Sequence, residues 1–471
     1  MAEHGAVPAG GELIQPQVEA AAAAQARGIN VESLPAVPLV SDGFRRYALV
    51  ILLLVYTVSF LDRQIVSVLA EPIKNDLGIS DTQLGLLTGL AFGIVYVGMG
   101  LPIARLADRV NRVWIIGASL TVWSAATVLC GRAANFPMLV AARMGVGIGE
   151  SGCTPTAHSL ISDYTPREKR ASALAFFSMG TPLGSVIGLA VGGIIADSLG
   201  WRQAFLFAGI PGLILALVVF FTLREPRNAM AAADRARVQA DRMSFGATLR
   251  YLSKKSSFWF LASGAAIKAF IGYGHAPFTI SFFLRIHGDQ IAGLAAPFGL
   301  KPLGFMGLVL GILGGILALT STWAGGYIAD KWGARDLRAY GTVPAVAALL
   351  GVPFLCASYY VDDVVLALAL TIPSSLLGSL WYGPVYASAQ GLVPANMRAT
   401  SSSILLFVIN MLGLGAGAVV VGAFSDFFNF GMGLGPAEGV RWAMIVSTLF
   451  GFVAAAMFWL ARGKIREQMV S

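Results

Sequence analysis

Charge is what this sequence has least of. Only 12% of its 471 residues are Asp, Glu, Lys or Arg, about half the share that a soluble domain carries. Hydrophobic residues make up 56% of the chain and the mean hydropathy is +0.72. A compact soluble chain of this length cannot hide so much apolar surface, because burial is limited by surface-to-volume scaling. Lipid is therefore part of its solvent. Cysteine is scarce as well. Cys130, Cys153 and Cys356 all lie in apolar runs, which gives neither a disulfide framework nor a metal cluster. Enzyme motifs are missing: there is no G-x-x-x-x-G-K-[ST], no H-E-x-x-H and no G-x-S-x-G. The expectation is a chain that is not an enzyme or an ATP-driven pump and holds no cofactor or metal. Glycine, in contrast, is abundant at 55 residues, as expected where helices pack closely in a bilayer.

Runs of about 20 mostly apolar residues mark membrane spans. Twelve are legible, at roughly 46–70, 82–107, 112–132, 137–163, 170–197, 201–223, 257–284, 303–330, 338–358, 363–392, 399–427 and 439–462. The fold class read from them is an all-α membrane protein, with twelve helices in two six-helix bundles. The divisions are a flexible tail over 1–43, a bundle over 44–224, a linker with an interfacial helix over 225–256, a second bundle over 257–462 and a short tail over 463–471. The first 43 residues lack a basic start with an adjoining apolar core, which argues against a cleaved secretory signal. Ser41 and Asp42 read as N-caps of the first helix. The 285–302 segment, with Arg285, His287, Asp289 and Lys301, reads as a plain connector.

The net charge of +8 suggests nucleic acid until its distribution is read. With the N-terminus in the cytoplasm, 24 Lys and Arg fall on that side and 6 on the other. The positive-inside rule then places both termini in the cytoplasm and explains the charge without a nucleic-acid partner. An excess of Arg over Lys leans toward a bacterial cell (inner) membrane. Oligomeric state is unreadable, and a monomer is the default.

Two segments repeat. Pro166-Arg-Glu-Lys-Arg170-Ala171-Ser172 returns as Pro394-Ala-Asn-Met-Arg398-Ala399-Thr400 at an offset of 228. Ala107-Asp108-Arg109 returns as Ala329-Asp330-Lys331 at an offset of 222. Each pair occupies the same relative loop of its half, as expected of two parallel repeats. At these loops the chain resembles the major facilitator superfamily. Ala104-Arg-Leu-Ala-Asp108-Arg109-Val-Asn111-Arg112 is similar to its signature G-x-L-A-D-R-x-G-R, with Ala104 and Asn111 replacing the two glycines. Gly326-Tyr-Ile-Ala-Asp330-Lys331-Trp-Gly333-Ala-Arg335 keeps both. Asp108, Arg109, Arg112, Asp330, Lys331, Arg335, Arg170 and Arg398 are accordingly candidates for a cytoplasmic gate, in which an Asp at a helix end latches and releases a neighbouring terminus. The other reading is a static loop salt bridge. Gly180-Thr-Pro182-Leu-Gly184, followed by Gly188, Gly192 and Gly193, is similar to the fifth-helix motif associated with exporters, although small residues there also serve close packing.

Within that superfamily the N-terminal half resembles the Spinster branch, on Phe60-Leu61-Asp62-Arg63, Arg143-Met-Gly145-Val-Gly147-Ile-Gly149-Glu150, Pro155-Thr-Ala-His158 and Asp163-Tyr-Thr-Pro166. Spinster proteins are lipid transporters. The resemblance implies a single-tailed lipid with an anionic head, such as a lysophospholipid or a sphingosine phosphate.

Ionisable groups inside spans are costly and mark pathways. Asp62 and Arg63 interrupt the first span; Arg143 and Glu150 share one face of the fourth, about 10 Å apart along the axis. The expectation is proton-coupled exchange around Arg143. With Asp62 and Glu150 ionised the guanidinium is occupied, and their protonation frees it for a headgroup. A permanent ion pair between the two helices is the competing reading. That account requires Arg143 to face a hollow. Arg63 and Lys268 are further headgroup candidates, and His158 is a proton-relay candidate that also reads as a packing residue. Phe60, Phe270, Tyr273, His275, Trp381, Tyr382, Tyr386 and Gln390 are candidates for the cavity wall. The expected function is proton-coupled secondary transport of an anionic amphiphile by alternating access. A carrier of soluble organic anions or drugs, and a receptor or scaffold without turnover, are the alternatives.

Overall fold

The computed structural model describes residues 40–107, 110–166, 169–226 and 245–470. Among them helix is the only regular structure, and the chain is a multi-pass membrane protein of twelve spanning helices. In the first bundle these are α1 (Asp42–Val68), α2 (81–107), α3 (Arg112–Cys130), α4 (136–164), α5 (170–199) and α6 (Trp201–Thr222). In the second they are α7 (Ser256–Ala295), α8 (Pro302–Gly333), α9 (Ala339–Tyr360), α10 (364–391), α11 (398–431) and α12 (Gly435–Gln468). Ten of the twelve contain an apolar stretch long enough to cross a bilayer, and the two that fall short are α4 and α7. These are the helices that carry Arg143 with Glu150, and Lys268 with His275.

Helix starts follow local chemistry. Ser41 Oγ accepts from Phe44 N on α1, and Asn111 caps α3 through Val113 N and Trp114 N. Ser80 and Gln83 form a capping box on α2. Gly200 turns α5 directly into α6 at φ 89°, a conformation that side chains with a Cβ rarely adopt. Three spanning helices are interrupted: α5 at Met179, between Arg170–Ser178 and Gly180–Leu199, and α4 and α10 nearer their middles. α4 divides at Gly152 into Phe136–Ser151 and Cys153–Tyr164. α10 divides into Val364–Gly378 and Tyr382–Gly391. The breaks of α4 and α10 lie about 228 residues apart, the offset of the Pro166 and Pro394 motifs.

Both ends of the described chain emerge on one face, here the terminal face. At the opposite, far face the bundles touch. One apolar core there runs from α1–α6 into Phe278, Phe282 and Phe283 of α7 and Val440 and Met444 of α12. Toward the terminal face the second bundle keeps a core of its own, around Leu252, Phe258, Phe458 and Ile465. Glycine permits the close crossings: a Cβ on Gly307 of α8 would lie 2.2 Å from the Leu189 carbonyl oxygen of α5, and one on Gly85 of α2 would lie 2.1 Å from that of Ala418 in α11.

One expectation needs correction. The 285–302 segment is not a plain connector: α7 continues to Ala295 through a kink at His287 (φ −116°, ψ 19°), followed by a single 3-10 turn at Ala296–Phe298. Gly147 and Gly149 make room for partner helices, since a Cβ on either would press on the Phe92 carbonyl of α2 or on Trp123 of α3. Of the 225–256 linker, Phe245–Ser253 is helical, and residues 227–244, like most of the 1–43 tail, lie outside the described residues.

Candidate functional site

Four charged side chains meet inside the first bundle. α1 contributes Asp62 and Arg63, and α4 contributes Arg143 and Glu150. Glu150, 1% exposed, accepts a charge-assisted bond from Arg63 Nε at 2.6 Å and a bond from Ser59 Oγ at 3.1 Å. Asp62, fully buried, accepts from Thr127 Oγ1 at 3.2 Å. Asp62 Oδ1 and Glu150 Oε1 have no hydrogen-bond partner among the described residues. The cluster therefore holds buried acceptor capacity that a proton would satisfy.

Arg143 does not occupy the place expected of it. It is 2% exposed, its guanidinium lies 5.2 Å from the Phe92 ring centroid, and its Nε is unpartnered. It makes no ion pair with either carboxylate, whereas Arg63 does. Sharing a face with Glu150 was not enough: seven residues are about 10 Å of helix, so a cation from the neighbouring helix wins the contact. Arg63 is also the more open of the two arginines. Its side chain is 17% exposed and sits among the rings of Phe60, Phe92 and Tyr96 at 5.2, 5.1 and 4.6 Å. Tyr273 of α7 lies within its electrostatic reach, so the second bundle faces the same cation.

The other candidates scatter. Trp381 stacks on Tyr382 at 3.9 Å and Tyr382 on Tyr386 at 6.3 Å, a ladder on α10. Phe270 packs edge-on against Phe450. Gln390 is exposed near the terminal face and donates to Ser402 Oγ at 3.4 Å. His158 lies beyond the α4 break, exposed and edge-on to Phe177. Lys268 and His275 front a cavity of about 280 Å³ within the second bundle. His275 Nδ1 pairs with Tyr359 Oη at 3.1 Å and its Nε2 with Ser447 Oγ at 2.8 Å, so both ring nitrogens serve packing.

Of the gate candidates, Asp108 and Arg109 lie outside the described residues. Arg112 does not reach the second bundle. It is fully buried and bound to Glu225 at 2.5 Å, Asp163 at 2.7 Å and Ser159 Oγ at 2.9 Å, which ties α3, α4 and the end of α6 together. Its own N–H donates to Glu225 at 2.7 Å, so one carboxylate serves both a guanidinium and a helix N-terminus. Asp330 accepts from Tyr340 Oη at 2.9 Å, and Lys331 rests on the Tyr327 ring at 5.8 Å. Arg170 Nε donates to the Thr165 carbonyl, and Arg335 and Arg398 are exposed. None of these contacts crosses between bundles.

Polar contacts between the bundles are found among the described residues on the far face, where sequence reasoning did not place them. Arg285 of α7 binds Glu71 at 2.7 Å and Asp81 at 2.9 Å, and Lys74 binds Asp81 at 2.5 Å. Asp426 at the end of α11 accepts from Asp81 N, Thr82 N and Thr82 Oγ1 at 3.0, 2.8 and 2.6 Å, capping α2 from the opposite bundle. Asp197 at the end of α5 accepts from Gly304 N at 2.6 Å and caps α8 in the same way. Asp197 and Asp426 stand 229 residues apart, within one residue of the offset of the Pro166 and Pro394 motifs.

Comparison with known proteins agrees with this architecture. The family profile described as the Major Facilitator Superfamily matches residues 52–418. An MFS-type efflux pump of Mycolicibacterium smegmatis is 32% identical over 420 residues, 89% of this chain and 93% of the relative. A probable sphingolipid transporter, spinster homolog 2 of Arabidopsis thaliana, is 24% identical over 364 residues, 76% of this chain and 72% of the relative. The chain is also similar to the crystal structure of a bacterial homolog to the human lysosomal transporter Spinster in an inward-facing, unoccupied conformation. The TM-score is 0.81 at 31% identity, covering 92% of this chain and 100% of that one.

Proposed function

The chain belongs to the major facilitator superfamily, with Spinster proteins among its relatives, and on that premise we propose that it is a proton-coupled carrier of an anionic amphiphile. It is a transporter and not an enzyme. The observation that carries the proposal is the Arg63–Glu150 pair: a buried carboxylate holding the one arginine of the cluster that opens toward the second bundle. While Glu150 is ionised, Arg63 is engaged. Protonation of Glu150 removes the partner and leaves a guanidinium free to bind a carboxylate or phosphate head bidentately. Proton and anion are then linked through one free energy. Asp62 is a second proton acceptor, with an unpartnered oxygen in the same pocket of charge. Arg143 holds that pocket at a favourable potential without touching the cargo. The aromatic rings around Arg63 and the α10 ladder suit a hydrocarbon tail.

In this reading the terminal face is cytoplasmic, in keeping with the positive-inside count, and the contacts of Arg285, Asp197 and Asp426 close the outer side of a monomer in a bacterial inner membrane. The similarity to an inward-facing structure supports that assignment. A second reading, a carrier of soluble anions or drugs, draws on the efflux-pump relative. Proteoliposomes loaded with a lysophospholipid or with its short-chain analogue separate the two, because only a lipid site demands the tail. A scaffold without turnover gives no counterflow above protein-free vesicles.

A further inference from the structure

The second bundle contains a charge of different character. The cavity of about 280 Å³ is walled by α7, α8, α9, α10 and α12, with no residue from the first bundle and no Asp or Glu in its lining. Lys268 projects from α7 into it. Among the described residues Lys268 has neither an ion pair nor a hydrogen bond, unlike Arg63, Arg112 and Arg285. An ammonium group held inside a spanning bundle without a counter-charge is costly and marks a pathway or site.

The opposite wall is α10 at its break. Pro373 removes a helical N–H there, and the helix ends at Gly378 before restarting at Tyr382. Interrupted helices at membrane depth are tolerated where they line a cavity, and their freed polar groups hold ligands. Ser374, Ser375 and Ser379 of this stretch all line the cavity. The hydroxyls of Ser374 and Ser375 make no hydrogen bond to other described residues, although helix serines of this chain commonly return theirs to the preceding turn, as Ser178 and Ser198 do. Gly272, Gly314 and Gly378 leave the space open, for a Cβ added at any of them would touch nothing within 4 Å. The equivalent break in the first bundle, at Gly152, stands beside Glu150. The two repeats therefore set opposite charges next to the same structural device.

We propose that this cavity is an oxyanion subsite, in which the Lys268 ammonium and the Ser374 and Ser375 hydroxyls hold a carboxylate or phosphate. It deepens the transport reading only in naming the ligand as the head of the transported amphiphile; anion binding itself does not require turnover. The chemistry divides between the bundles: the first takes the proton, and the second offers a standing cation that no ion pair must first release. The volume lies at the lower edge of ligand pockets, which fits a headgroup and not a whole lipid.

The test is equilibrium binding to the full-length protein in nanodiscs at neutral pH, with tritiated lysophosphatidate and, separately, tritiated glycerol phosphate as probes. Lys268→Ala, Lys268→Met and the cavity-filling Gly314→Leu should each weaken lysophosphatidate binding at least tenfold, and Lys268→Arg should stay within threefold of wild type. A monodisperse elution profile and unchanged thermal unfolding qualify each variant, and Gly314→Leu keeps the test open should both Lys268 variants fail to fold. Equal Lys268-dependent binding of glycerol phosphate identifies a small soluble anion as the source, and tail-dependent binding identifies a lipid head; either supports the subsite. Undiminished binding in a folded Lys268 variant or in Gly314→Leu, or no anion binding by the wild type, overturns it. Lys268-dependent binding without counterflow in vesicles leaves the subsite standing and removes the transport reading instead.

Discussion

The two bundles share a topology, a loop motif and a broken fourth helix, yet they treat buried charge in opposite ways. In the first, Arg63 sits on Glu150 and Arg112 on Glu225 and Asp163, while Arg143 is sealed against the Phe92 ring with no ion pair. In the second, Lys268 faces an open cavity alone, and the loop residues equivalent to the first bundle's latch, Asp330, Lys331 and Arg335, lie exposed. The difference teaches that a repeated fold fixes where a helix can break and where a charge can sit, but not what the charge is for. Partnership decides that. A paired buried ion waits for a proton to release it, while an unpaired one that faces a cavity, as Lys268 does, waits for a ligand.

The sharpest way to break this contrast is at the loop motifs. Arg112→Ala leaves Glu225 and Asp163 without their cation, at a cost of about 3–5 kcal/mol for a buried pair. Its counterpart Arg335→Ala removes an exposed side chain. Thermal unfolding in detergent should fall by many degrees for the first and stay unchanged for the second, and equal shifts would erase the asymmetry. Next in size is the close crossing of the bundles. Gly307→Val forces the Leu189 carbonyl away from α8, and labelling of a cysteine placed near the far end of α7 should rise severalfold as that face opens.

Smaller effects separate the two cross-bundle caps. Asp426→Ala removes three hydrogen bonds at the start of α2, whereas Asp197→Ala removes one at the start of α8. A helix cap is worth roughly 1 kcal/mol, so the same labelling assay should show several-fold opening for Asp426→Ala and less for Asp197→Ala. The reverse order would mean that hydrogen-bond number does not set the lock. The smallest effect concerns His158. Exposed and edge-on to Phe177, it should tolerate His158→Gln with transport and its pH response intact; loss of the pH response alone would return it to the relay.

Much of this was legible in the sequence, for identifiable reasons. Most of the twelve spans follow from long apolar runs, and the α1 cap from Ser41, because both signals are local. Asp62, Arg63, Arg143, Glu150 and Lys268 stood out because charge is rare in such runs. What could not be read was partnership. Arg143 shares a helix face with Glu150, but only the approach of α1 decides that Arg63 reaches the carboxylate first. Arg112 reads as a gate residue from its loop motif, and its burial depends on Glu225, far away in sequence. The far-face lock rests on Asp197 and Asp426, which look like ordinary helix-end residues until the opposite bundle presents its N–H groups.

The account turns on whether Glu150 couples a proton to the release of Arg63. The most direct measurement is lysophospholipid transport in proteoliposomes with and without an imposed pH gradient, comparing wild type with Glu150→Gln and with Glu150→Gln combined with Asp62→Asn. The account predicts that the gradient accelerates the wild type, that Glu150→Gln blunts this response, and that the double variant is indifferent to the gradient. A double variant that still responds to the gradient as the wild type does would contradict it.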